Sequence, residues 1–555
     1  MRVPDDRSQL VEHDAGPYAT VRASTYGSTV PVEPLVPFAT TYAPNGMVCS
    51  VDRLASEAGI AVLRRGGTAA DGAVATSAAL AVTTQHLCGM GGDLFALVHH
   101  RTGAPDVLNA SGRAGSGADP DALRAEGLTT MPFRGRINAV PVPGCVDGWL
   151  TLHERHGRLP LGDVLGPAIE LAENGFPASP TLAASIPAIS ALPGADDYIA
   201  QTVRPGTMIR RPLVADALNA IATGGRDAWY GGAFGEGLLE VGAGEYTEAD
   251  LARINADWVE ALGVRAWGRD IWTVPPNSQG YLTLAGAWIA AGLPLPDDPD
   301  DAAWAHLLIE SARQAAYDRV DVLHEHADGA ALVTPDRLAP RRAAIGETAA
   351  VLGDGYAGGG TIHLAVVDRD RMGVSLIQSN AGGWGAGIAV PSVRVFLQNR
   401  GYGFNLVPGH PAEYGPGRRP PHTLSPALVT HPSGDLDMVI GTMGGDTQPQ
   451  ILLQLLARLL VNGESPARAV AAGRWGLTGG ATGFDTWVDR GRVRVAIEGH
   501  ASTAWADGLR DRGHDVDPKH PHDHGFGHAH VIQVAGDVLA GASDPRPRTG
   551  GAAIH

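Results

Sequence analysis

Apolar residues recur at intervals of three and four along residues 50–67, "SVDRLASEAGIAVLRRGG". That spacing predicts an amphipathic helix, capped by Ser50 and closed by its glycine pair. The next stretch, "TAADGAVATSAALAV", is apolar on most faces, the pattern of a buried helix. "GMGGDLFALVHHRTG" reads as a glycine turn, a strand and a second turn. Further helices are predicted at 147–156, 162–174, 212–222 and 300–326. Residues 327–360 lose this periodicity and carry scattered charges with Pro335 and Pro340, which predicts a linker or exposed segment. At Thr361 the pattern changes. "TIHLAVVD" and "VSLIQSN" alternate about a turn at "RDRMG", as a β-hairpin does. "DMVIG" reads as a strand and "PQILLQLLARLLVNG" as a helix ended by Asn462-Gly463. "RVAIEGH" and "HAHVIQVAGDVLAGAS" are late strands, and no segment repeats. Strands and helices mixed in this order predict a layered α+β or α/β architecture, a buried sheet covered by helices. Residues 1–33 are expected to be a poorly packed tail.

Composition narrows the function classes. The 74 glycines and 40 prolines are spread between apolar segments, so the chain is loop-rich but folded. A net charge of −17 repels phosphate backbones and anionic membranes, so neither nucleic acid nor a membrane is expected as a partner. Three scattered cysteines are too few for a disulfide framework or a zinc site. The first twenty residues contain no apolar leader, and the longest apolar run, from Tyr281, is too short to span a bilayer and ends in prolines. A cytoplasmic location is the expectation.

Four constellations carry candidate chemistry. In "AGGGTIH" three glycines precede Thr361. A threonine opening a strand is ordinarily just a β-former, but glycine tolerates backbone geometries that strain a peptide bond, and the segment before it reads as one that tolerates a cut. A threonine freed at a new N-terminus brings its own base, because an α-amine titrates at roughly 7.7–8.0. "GTMGGDTQPQ" is sufficient as a turn between strand and helix, yet the N–H groups of Gly444 and Gly445 also suit an oxyanion hole. Arg113, among small residues in "NASGRAGSGADP", is suited either to the surface or to a bidentate grip on a carboxylate. The histidines of "HPHDHGFGHAH" raise a metal site, but without a placed carboxylate they suit packing equally well, and no metal or other cofactor is assigned.

Together, "ASEAGIAVLRRGGTAADGAVA", "VPGCVDGWLTLHERHGRLPLGDVLGPAIELAENGF", "PPNSQGYLTL", "ESARQAAYDRVDVL", "GGGTIHLAVVDRD", "RRPPHTLSP", "GTMGGDTQPQ" and "GHAHVIQV…GASDPR" resemble the γ-glutamyltranspeptidase family. These are proenzymes of the N-terminal nucleophile hydrolase type. The resemblance implies a four-layer αββα sandwich of class α+β, built from a large chain 34–360 and a small chain 361–555. It implies cleavage between Gly360 and Thr361, Thr361 as nucleophile, Ser379 as the second hydroxyl, Gly444 and Gly445 as the oxyanion glycines, and Arg113 as the grip on an α-carboxylate. The implied partner is a small amide or peptide-like substrate, and the implied assembly a heterodimer of the two chains, with a dimer of heterodimers left open.

The chain also departs from the family pattern. The aspartate that holds a substrate's α-amine falls at Gly403, beside Tyr402, and an amide or acidic position upstream is Arg400. An expected asparagine is Ala381, with Asn380 beside it, and the paired serines before "SP" are His422 and Thr423. Asn380, Arg400, Tyr402, His422 and Thr423 are therefore the candidate substrate-binding residues. The pattern is more like the acylase and amidohydrolase branch, and implies an acyl group that lacks a free α-amine or is bound through other contacts. Two other readings remain open at this stage. One is a tailoring hydrolase of the same family that cleaves an unusual amide or a C–C bond; the other is an uncleaved binding protein on this scaffold.

Overall fold

The computed structural model describes residues 38–100, 102–350, 361–478 and 493–555, together with the backbone of two short strands, Tyr356–Ala357 and Phe484–Asp485. The tail 1–33 and Gly360 lie outside the described residues.

Two seven-stranded sheets form the centre of the fold. One runs in the spatial order Thr41–Ala43, Val538–Ser543, Ala529–Ala535, Leu436–Thr442, Ala427–Thr430, Arg269–Thr273, Leu262–Ala266. The other runs Gly551–Ile554, Met47–Ser50, Ile362–Val367, Gly373–Ser379, Asp93–His99, Asp106–Ala110, Asp257–Val259. Neighbouring strands in both sheets are antiparallel.

Three apolar clusters define the layers. Phe95, Leu97, Ala365, Val367 and Ile377 of one sheet meet Leu428, Val439 and Ile532 of the other, forming the seam between the sheets. The opposite faces of the same strands, Leu94, Ala96, Leu364, Val366 and Leu376, pack with Ile60, Ala73, Val74 and Trp149 of one helical layer. Ala427, Val429, Met438, Ile440 and Val531 pack with Leu284, Leu308, Ile309 and Leu452 of the other. The period-2 alternation of the central strands thus serves two cores at once, and the result is an αββα sandwich.

The expected elements form with adjusted limits. The first helix spans Arg53–Arg64, and Asp52, not Ser50, caps it: the Asp52 carboxylate accepts the Leu54 N–H at 2.9 Å. Ser50 lies in a strand and pairs its hydroxyl with that of Ser56. The next helix, Ala69–Thr83, is buried at every position and opens on a Thr68/Asp71 capping box. Residues 147–156 and 162–174 fall within helices Cys145–His156 and Leu161–Asn174, 212–222 opens the longer Pro212–Tyr230, and 300–326 resolves into Ala302–Ala316 and Arg319–Val322. The stretch after 327 is not a linker up to residue 350. It forms helices Gly329–Leu332 and Pro335–Ala343, held by buried Leu332 and Leu338 and by Arg341 on Asp318. Two prolines hid the pattern, one at a helix start where it is tolerated.

Strand Ile362–Val367, at the start of the expected small chain, lies between Met47–Ser50 and Gly373–Ser379. The C-terminal strand Gly551–Ile554 closes that sheet against Met47–Ser50. A cut before Thr361 leaves each segment hydrogen-bonded within sheets to which both contribute, so the two cleaved chains are expected to co-elute on size exclusion and to separate only in denaturant.

Glycine is required where the first two helices cross. A Cβ on Gly59 would lie 2.1 Å from Thr76 Oγ1 and 2.9 Å from the Gly72 carbonyl. Overpacking of this kind costs about 1–3 kcal/mol. Gly59→Ala is therefore expected to lower the unfolding free energy by that amount in denaturant titration.

Candidate active site

Thr361, Ser379 and Asp93 form one row across three adjacent strands. Ile362 pairs with Gln378 and Ser379 with Asp93, so the register sets Thr361 opposite Ser379. Directly opposite residues share a sheet face, and here it is the face toward the seam, at its end. All three side chains are buried. The hydroxyls of Thr361 and Ser379 are 3.0 Å apart, and Ser379 Oγ also accepts the Ala381 N–H at 2.8 Å. Ala381 adopts φ +68 to deliver that N–H, a conformation a non-glycine residue enters at a cost.

Behind Ser379, Gln378 faces the helices, where its amide donates to the Ser77 carbonyl and accepts from the Ser77 hydroxyl. It ties the end of the strand to the buried helix Ala69–Thr83.

Asp93 gathers the charges. One oxygen, Oδ2, accepts from Arg400 Nε at 3.0 Å and from His422 Nε2 at 2.8 Å. His422 Nδ1 accepts the Leu424 N–H, so the ring proton sits on Nε2 and points to the carboxylate. Arg400 also donates to Thr423 Oγ1 at 2.9 Å. Burial alone would raise the Asp93 pKa; the Arg400 guanidinium and the His422 N–H outweigh it and hold the carboxylate below its ordinary value. His422 is pushed down to about 4 by burial and by Arg400 beside it, so it is neutral at pH 7.

The glycine turn joins the same group. Gly444 and Gly445 have φ of +145 and +57, which favour glycine. The Gly444 carbonyl accepts from Thr447, through both its N–H and its hydroxyl, and the Gly445 carbonyl accepts from Gln279 Nε2. A trans peptide aims N–H opposite to C=O, so these bonds fix the direction of the Gly445 N–H. Gln279 Nε2 also donates to the Thr423 carbonyl at 3.0 Å, linking the glycine turn to Thr423 and hence to Arg400. The strand pair Tyr356–Ala357 and Phe484–Asp485 lies against the turn Gly445–Thr447.

Of the residues proposed from sequence, Thr361, Ser379, Arg400, His422, Thr423 and the glycine pair are connected in this way. Asn380 is adjacent, with its side-chain amide donating to the Gln85 carbonyl. Tyr402 packs edge-on against Phe133. Arg113 is ion-paired: it meets Asp257 at 3.1 Å and Glu325 at 3.4 Å, in a cluster with Arg418 and Arg419. Burial and the neighbouring Arg113 push Arg419 down to about 10. Sequence reasoning missed Asp93 and Gln279. An acidic residue opening an otherwise apolar strand, in "GGDLFALV", was the available signal for the first.

The late histidines pair with one another. His363 stacks on His530 across the seam, His500 stacks on His522, and His524 Nδ1 lies 2.9 Å from His528 Nε2. Among the described residues, the group of three whose ligand atoms converge is a different one, His306, Glu310 and His514. No helix among the described residues is long and apolar enough to cross a membrane.

An αββα sandwich with a hydroxyl row at the end of its sheet seam is the architecture of N-terminal nucleophile hydrolases. The γ-glutamyltranspeptidase family model matches residues 55–554, and the chain belongs to that family. It is 33% identical over 523 residues to an oxamate amidohydrolase proenzyme of Klebsiella pneumoniae, covering 90% of this chain and 97% of that one. It is also 33% identical over 519 residues to a glutathione hydrolase-like proenzyme of Bacillus subtilis, with the same coverage. The crystal structure of a cephalosporin acylase from Bacillus halodurans superposes with a TM-score of 0.85 at 31% identity, over 95% of this chain and 98% of that one.

The buried histidines set an acid limit. Burial lowers His422, His530 and His363, the first two to about 4, from an ordinary value of 6.5. The unfolded chain therefore binds more protons below about 6.5, and stability falls as pH drops from there towards 4. Each such histidine contributes a slope of up to about 1.4 kcal/mol per pH unit. Urea midpoints measured from pH 7.5 to 4.5 are expected to decline steadily below pH 6.5.

Proposed function

We propose that the chain is a self-cleaving threonine hydrolase acting on amides whose acyl group carries a carboxylate. The observation that carries this reading is the 3.0 Å contact between Thr361 and Ser379 hydroxyls, at the start of a strand that follows a glycine run. In maturation the Thr361 hydroxyl attacks the Gly360 carbonyl and the Gly360–Thr361 C–N bond breaks. The acyl group is then an ester on Oγ1, and water hydrolyses it to release the Gly360 carboxylate and the Thr361 amine. In turnover that amine takes the Thr361 hydroxyl proton as oxygen attacks the substrate carbonyl, and passes it to the departing amine. The N–H groups of Gly444 and Gly445 hold the developing oxyanion. Ser379, kept in place by Ala381, orients the nucleophile.

Arg113 is assigned to the acyl carboxylate, which would displace its longer contact, that to Glu325. Similarity to an oxamate amidohydrolase and a cephalosporin acylase supports amide hydrolysis, and water is the acceptor we favour. No cofactor enters any step.

Intact mass under denaturing conditions tests both halves. Wild type is expected as two chains, 1–360 and 361–555, and Thr361→Ala as one uncut chain with hydrolysis reduced about 10³-fold or more. Ser379→Ala is expected to slow processing and turnover by about 10-fold or more, the loss of one hydrogen bond in a buried site. An uncut but active wild type would overturn the reading.

A further inference from the structure

Away from the hydroxyl row, His306, Glu310 and His514 each bring a ligand atom to within 4.8 Å of the other two. All three side chains are buried. Local structure places the first two: His306 and Glu310 stand four residues apart on helix Ala302–Ala316, so they share a face. His514 comes from 208 residues beyond His306. Helix Thr503–Asp511 ends in a turn at Gly513, with φ +86, and the His514 N–H returns to the Leu509 carbonyl at 3.0 Å. That glycine-ended turn fixes the backbone from which His514 reaches the other two.

The surrounding hydrogen bonds already orient the three as ligands. His306 Nε2 lies 2.9 Å from the Gly346 carbonyl. A carbonyl only accepts, so this nitrogen carries the ring proton and Nδ1 presents a lone pair. Metal-binding histidines are held by backbone carbonyls in this way. The lone pair faces His514 Nε2 at 2.8 Å, and Glu310 Oε1 stands 3.9 Å from that same nitrogen. Glu310 is held in turn: Oε1 accepts from Arg313 at 2.6 Å and Oε2 accepts the Ala350 N–H at 3.2 Å. Each carboxylate oxygen has two lone pairs, so Oε1 serves Arg313 with one and is free to serve an ion with the other. Two imidazoles and a carboxylate suit zinc, which takes these donors at about 2.0–2.2 Å and sets neighbouring ligand atoms about 3.3 Å apart. His514 has to withdraw by only about 0.5 Å to admit the ion, and water completes the fourth position. His514 is also 7% exposed, which gives the ion its way in.

We propose that His306, Glu310 and His514 form a zinc site that joins the segments on either side of the Gly360–Thr361 bond. His306 and Glu310 precede that bond and His514 follows it. In the cleaved protein the ion therefore bridges the large and small chains. The bridge rests on cleavage before Thr361; the binding of the ion does not. Binding replaces the hydrogen bond between the two rings, and the proton that His514 carried on Nε2 moves to its Nδ1. The same cluster grips the chain near the end of the large segment. Gly346 and Ala350 are held by His306 and Glu310, Arg313 donates to the Ala350 carbonyl at 2.7 Å, and the Ala349 N–H reaches the Arg512 carbonyl at 2.8 Å.

Zinc titrated by calorimetry into the chelator-treated full-length protein is expected to bind as one ion per molecule. His514→Gln is expected to weaken this binding at least about 100-fold, since loss of a partner that merely supports a ligand already costs about 10–100-fold. His524→Gln is the control, because His524 and His528 also pair closely, and it is expected to leave the affinity unchanged. Cobalt in place of zinc is expected to give a visible absorption band in wild type and none in His514→Gln. If His514→Gln does not fold, Glu310→Gln, which keeps the shape of the side chain, carries the same test with the same expected loss. A wild-type protein that binds no stoichiometric zinc overturns the proposal. So does binding that survives His514→Gln, or that His524→Gln removes. The bridge has its own readout: chelator is expected to lower the urea concentration at which the two cleaved chains separate, and an unchanged separation overturns the bridging role. A protein that binds zinc at these residues yet stays uncut counts against the self-cleaving hydrolase and not against the site.

Discussion

The antiparallel register of strand Ile362–Val367 against Gly373–Ser379 is the constraint on which the rest depends. It sets Thr361 opposite Ser379, and the next register sets Ser379 opposite Asp93. A slip of one residue would turn every side chain of the strand to the other face. Thr361 would then face the helices, and His363, Ala365 and Val367 would leave the seam they fill. Packing therefore enforces chemistry: the apolar residues that select the register are the ones that aim the hydroxyl.

The seam is closed tightly along its length and becomes polar at its end. Gly441 lets His363 lie flat against the opposing sheet, since a Cβ there would come within 2.2 Å of the ring. Beyond His363 the apolar contacts give way to Thr361, Ser379, Asp93, Arg400, His422 and Thr423. Charges buried this deeply persist only when paired, and Asp93 with Arg400 supplies the pair. Gln279 extends the same network to the carbonyl of Gly445, so the glycine turn and the charged group are held by one side chain.

Several features could be read directly from residue order. The hairpin after Thr361, the buried alanine helix and the strand-to-helix glycine turn each follow from local spacing and local conformational preference. Others could not. Ser50 and Asp52 both suit a helix cap, and sheet pairing claimed Ser50. The segment 327–350 looked like a linker because its few apolar residues, Leu332 and Leu338 among them, are buried in a cluster with helices Tyr281–Ala290 and Ala302–Ala316, beyond the reach of local periodicity. Arg113 suited either the surface or a ligand, and its ion pairs with Asp257 and Glu325, distant in sequence, exist only in the fold.

The sequence by itself determined the layered class, the position of the glycine–threonine junction and the list of residue types available for catalysis. These depend on periodicity and on neighbours a few residues away. Tertiary structure alone decided which of those residues meet. Asp93 is a lone acid opening an apolar strand until strand pairing puts it beside Ser379, and Arg400 and His422, more than 300 residues away in sequence, converge on it only when the chain has closed. Charge pairing and hydrogen bonding act through space, and the distances that govern them exist only in the folded sandwich.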